Sequence, residues 1–260
     1  MTEKNLLTVK IFEAIKKSEG CPLCYLWLKV EEQYMDFLLL NEASMSSKVR
    51  NEVVAAKGFC NRHAHLLYKT AYKGGTEDGL GYAIYMKDII EIINKQLEPL
   101  TKQSRNLGDL KKKIFPHWRK QKQTYLLLFD IVEHVIERQQ CPVCKHLQSM
   151  DKINQHTLIQ MLEVEEFQKE FKSSKGLCLP HFMSAIRILG QNKLKNPSTV
   201  AKALIETEKG NLQLVEHYLS EFIRKQSWDF REESWGPEAN ANRMALNLLV
   251  GAEGFCLNDG

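Results

Sequence analysis

The sequence predicts an all-α fold, a duplicated helical bundle. Three observations carry that prediction: apolar residues recurring every three or four positions, no sustained two-residue alternation, and a repeat of cysteine and histidine spacing in the two halves. Leu26, Val30, Tyr34, Phe37 and Leu38 fall on one helix face, as do Ile84, Ile89, Ile92, Ile93 and Leu97. Stretches 121–139, 155–170 and 198–224 have the same period. Alternation bounded by hairpin signals is missing, so no sheet is required.

Punctuation marks the helix boundaries. Lys73 to Asp78 holds two glycines and breaks the chain, and Asn196-Pro197-Ser198 is a break with a new helix start. Proline is favoured at the first helical position, so Cys21 and Cys141 are read as caps of helices beginning at Pro22 and Pro142. Gly58 and Gly176 turn the chain ahead of helices that start after Cys60 and Cys178. Near the C-terminus, Ser234 to Glu238 makes a turn into a short apolar helix containing Ala245 to Gly251. Trp228 and Trp235 are read as core or docking anchors.

Six of the seven cysteines make up the repeat. Cys21-Pro22-Leu23-Cys24 is followed by Gly58-Phe59-Cys60-Asn61-Arg62-His63, and Cys141-Pro142-Val143-Cys144 by Gly176-Leu177-Cys178-Leu179-Pro180-His181. Cys24 and Cys60 are 36 positions apart, Cys144 and Cys178 are 34 apart, and the first pairs are offset by 120. Self-similarity of this kind indicates duplication. The organisation expected is a first helical repeat at 1–110, a basic linker at 111–120, and a second repeat with a helical extension at 121–260.

Each half holds C-x-x-C and C-x-x-H, four donors of the kind zinc prefers in tetrahedral geometry. The expected metal ligands are therefore Cys21, Cys24, Cys60, His63, Cys141, Cys144, Cys178 and His181, for two zinc ions. The spacing is read as closing each shell within its own half, across the 36- or 34-position connection; exchange of ligands between halves stays open. His65 competes with His63, but the repeat aligns His63 with His181 and His65 with Met183. A Cys3His shell with no vacant position is the composition of a structural site, and helix N-termini favour the thiolate form. Cys256 has no repeat partner, His117, His146, His156 and His217 are isolated, and Glu133-His134 with Glu137 reads as an exposed charged face.

Composition sets the remaining limits. Hydrophobic residues at 43% and charged residues at 26% exclude a disordered chain, and 260 residues can bury a core without disulfide staples. The apolar runs are too short to span a bilayer, and the N-terminal stretch lacks a secretory signal's apolar block, so a cytoplasmic location with reduced thiols is expected. Lys111 to Lys120 concentrates positive charge beside Phe115 and Trp118; it reads as a solvated linker, with a nucleic-acid contact as the sharper alternative.

On the paired C-P-x-C and G-[FL]-C-x-x-H units, the chain resembles a bacterial family of uncharacterised helical proteins, a domain of unknown function, over nearly its full length. The resemblance implies metal sites and no particular activity. The function expected is a zinc-binding helical scaffold or adaptor with a protein partner and no catalytic residues. An iron–sulfur or redox protein is the alternative, because C-P-x-C also resembles a glutaredoxin dithiol, although no βαβ context surrounds it. The deaminase signature fails, since Ala64-His65 follows His63; Tyr25 and Lys145 exclude haem attachment; no P-loop or dinucleotide fingerprint is present.

Overall fold

The computed structural model describes residues 6–73, 79–114, 137, 139–191 and 193–255. Residues 74–78, the basic segment from Phe115 to Lys120, most of the stretch 121–139 that the sequence reads as helical, with His134, and Cys256 lie outside the described residues. Side chains between 99 and 114 are likewise not described.

Every regular element among the described residues is helical. In chain order these are α1 (Leu6–Lys17), α2 (Pro22–Leu39), α3 (Asn41–Ser44), α4 (Ser47–Ala55), α5 (Asn61–Ala71), α6 (Leu80–Ile114), α7 (Pro142–Met161), α8 (Glu165–Lys172), α9 (Leu179–Leu189), α10 (Pro197–Arg224) and α11 (Ala241–Val250), with 3-10 turns at Trp228–Phe230 and Pro237–Asn240. The apolar stretch 155–170 is thus two helices, broken at Leu162–Val164. Among the described residues, no helix is long and apolar enough to cross a membrane.

The chain forms two compact units. One combines Met1–Glu31 with Leu147–Gly260, and the other is Glu32–His146. The boundary falls inside α2 and again inside α7. We retain the division into helical metal-binding repeats at 1–110 and 121–260, joined by a linker at 111–120, as a proposal.

In the first unit α10 packs against α8, α9 and α11. Leu158, Ile159, Leu162, Phe171, Leu177 and Leu204 are essentially solvent-free there, and the Phe12 and Phe167 rings meet at 5.4 Å. Full burial of each such side chain is worth about 1.5–3 kcal/mol, which drives association of these amphipathic faces. Trp228 and Trp235 are not core residues: 77% and 49% of their surfaces are exposed. They rest on the surface beneath Arg231 and beside Phe222.

In the second unit α3, α4 and α5 all pack on α6. Tyr85 is fully buried at its centre, and its hydroxyl donates to the Leu38 carbonyl at 3.0 Å, which avoids an unpaired polar group. Burial pushes the Tyr85 phenol up to about 12. The apolar period of α6 was legible, but among its described side chains the large one that is fully buried is Tyr85, next to Ile84. Arg50 on α4 clamps Asp88 on α6 with two bonds of 2.6 and 2.7 Å.

Candidate metal centres

Four cysteines stand at four helix starts. The carbonyls of Cys21, Cys60, Cys141 and Cys178 accept the first helical bonds of α2, α5, α7 and α9, from Tyr25, Ala64, Lys145 and Phe182. A residue in that place has its side chain beside the free N–H groups and positive pole of the helix, where a thiolate is favoured. The second donor lies three positions on, in the first turn, so each helix start presents two donors on one side. Gly58 and Gly176 supply the turns into α5 and α9 with φ of 102° and 62°, backbone angles that side chains with a Cβ rarely adopt.

The eight residues gather into two sets. Cys21, Cys24, Cys178 and His181 form one, entirely within the first unit; Cys60, His63, Cys141 and Cys144 form the other, entirely within the second. Within each set the donor atoms all lie within 4.8 Å of one another, close enough to hold a metal ion. This corrects the closure read from the spacing. Each set joins the C-P-x-C of one repeat to the C-x-x-H of the other, across 154 positions between Cys24 and Cys178 and 84 between Cys60 and Cys144. The local spacings suit either pairing; the path of the chain selects exchange.

In the first set, His181 Nδ1 lies 3.4, 3.4 and 3.2 Å from the sulfurs of Cys21, Cys24 and Cys178. Its Nε2 faces Asp151 Oδ1 at 3.1 Å, so the Nε2–H donates to the carboxylate and leaves the Nδ1 lone pair for an ion. Gln155 holds the other Asp151 oxygen at 2.6 Å. A turn after α11 packs on two of the donors: the Ala252 N–H points to Cys24 Sγ at 3.5 Å, and the Phe255 ring stacks on His181 at 4.2 Å while meeting Trp27 edge-on. Neither Asp151 nor this turn was singled out from the sequence. Asp151 stands 30 positions before His181 on a different helix, so no local spacing in the sequence ties the two together.

In the second set, His63 Nδ1 lies 3.1, 3.6 and 3.3 Å from the sulfurs of Cys60, Cys141 and Cys144. His63 is buried, whereas His65 is exposed and outside the set. Cys60 and Cys144 are partly exposed, unlike every donor of the first set. His146, two positions past Cys144, stacks on Tyr34 at 4.0 Å, and burial lowers its pKa.

Charge in the two sets is uneven without a cation. The hydrogen bond with Cys144, against the cost of burial, holds the Cys141 thiol well below its ordinary range, while that same bond, together with burial, pushes Cys144 up. In the first set burial opposes ionisation of Cys21, but bonds from Cys178 and Cys24 outweigh it and pull the thiol down; Cys178 is raised. Burial disfavours the His181 cation, yet the Cys21 charge and Asp151 raise its pKa. Three crowded thiols cannot all ionise alone, and a divalent cation removes that conflict. The donor chemistry fits a thiophilic ion such as zinc.

A model of a family described as a family of unknown function, DUF6062, matches residues 1–254. No curated protein and no solved structure matches the chain.

Proposed function

For a chain that belongs to the family of unknown function DUF6062, we propose a zinc-binding helical scaffold, with two structural Cys3His sites and a surface for a protein partner. The observation that carries this reading is the pair of four-donor sets, each complete from the chain's own residues. Four protein donors leave zinc no place for water or substrate, which favours a structural role over a catalytic one. Cys21, Cys24, Cys178 and His181 would hold one ion, and Cys60, His63, Cys141 and Cys144 the other. A reducing compartment such as the cytoplasm keeps the donors available.

Exchange of ligands gives the ion more to stabilise than within-half closure does. By loop-closure scaling, tying positions 154 rather than 36 apart restricts the unfolded chain by about 1 kcal/mol more. Apolar side chains on the outer faces of α10 and α11, among them Ile223, Leu246 and Val250, are exposed and support the adaptor reading. The test is a circular dichroism melt of zinc-loaded protein with and without verified chelation. A lower melting temperature and reduced helix content after chelation support the scaffold; an unchanged curve argues for functional rather than structural centres.

A further inference from the structure

The two sets have the same donors but different access. In the first, Cys21, Cys24, Cys178 and His181 are 8%, 2%, 1% and 0% exposed, and the turn from Gly251 to Phe255 lies against Cys24 and His181. That turn is tightly fitted, since a Cβ on Gly251 would come within 2.6 Å of the Phe255 ring and 3.3 Å of Cys24 Sγ. In the second, Cys60 and Cys144 keep part of their surface open to solvent. Their sulfurs lie 3.8 Å apart, and those of Cys24 and Cys178 3.6 Å, so proximity does not separate the sets. Access does.

We infer that Cys60 and Cys144 form an oxidation site, at which a peroxide opens the second set while the first stays closed; this rests on the zinc reading above. One exposed thiolate attacks a peroxide oxygen, the O–O bond breaks, and a sulfenic acid and hydroxide form. The other thiolate attacks that sulfur, the S–S bond forms, and a second hydroxide leaves. Two thiolates and one hydrogen peroxide thus become one disulfide and two hydroxides, with two electrons passing from sulfur to peroxide. Only Cys141 and His63 then remain as donors, too few to hold zinc tightly. Oxidation follows thiolate character and exposure, so the buried first set reacts more slowly.

The experiment uses the full chain loaded with zinc, one equivalent of hydrogen peroxide, a chromophoric chelator to count released zinc, and peptide mass mapping. The expected result is release of one ion of two, a Cys60–Cys144 disulfide, and release from the second set faster by at least about tenfold. Simultaneous release of both ions, a disulfide at Cys24 and Cys178, or no release overturns the inference. Phe255→Ala, which leaves all eight donors in place, should sensitise the first set to peroxide; unchanged protection of a folded variant overturns the role given to the turn. Failure of the zinc reading itself appears earlier, as a chain purified without metal.

Discussion

Asp151 Oδ1 lies 3.1 Å from His181 Nε2, with both side chains buried, and this contact determines which ring nitrogen faces the three sulfurs of the first set. Outer partners of this kind typically govern metal affinity by about 10- to 100-fold. Asp151→Ala should weaken zinc at the first set by that factor and leave the second set unchanged. Competition with a chelator of known affinity measures it, and equal affinity in variant and wild type would remove Asp151 from the account.

Exchange of ligands between repeats makes a prediction that within-half closure does not. Cys21→Ser combined with His181→Ala damages one set twice, so one zinc per chain should remain. Cys21→Ser combined with His63→Ala damages both sets, and no tightly held zinc should remain. If closure lay within each half, the two results would be reversed.

Gly251 has φ of 88° and ψ of 177°, a region open essentially to glycine alone. Gly251→Ala should cost about 1–3 kcal/mol from the backbone, with the Phe255 clash in addition. Denaturant unfolding would show a lower midpoint; an unchanged midpoint would mean that the turn is not fixed against the first set.

Glu208 is buried on α10, where it accepts a bond from the Leu177 N–H at 3.3 Å, and burial pushes its carboxyl up to about 7. The folded state therefore keeps a proton that the unfolded state gives up at a lower pH. Stability associated with this group is present in acid and falls as pH rises from the ordinary carboxyl range through about 7. Glu208→Gln retains an acceptor for Leu177 without the charge. It should stabilise the protein at pH 8 by an amount on the order of 1–3 kcal/mol, with little effect below pH 4. Thermal melts at the two pH values check the sign.

The helix starts were legible because their signals are local. Pro22 and Pro142 suit a first helical position, and Gly58 and Gly176 take positive φ values just ahead of the capping cysteines. His63 could be separated from His65 by the repeat alone, since only His63 has a counterpart in His181. Which C-P-x-C meets which C-x-x-H was not legible, because both pairings have identical local spacing and differ only in the route of the chain. Trp228 and Trp235 show the converse limit: hydrophobic character alone did not indicate that neither side chain is buried.

The central claim is that the chain closes two four-donor shells around zinc, and metal analysis of protein purified anaerobically without added metal tests it most directly. The account predicts two zinc ions per chain in a colourless, folded protein. Folded protein with no metal, or a brown protein containing iron and sulfide, would contradict it.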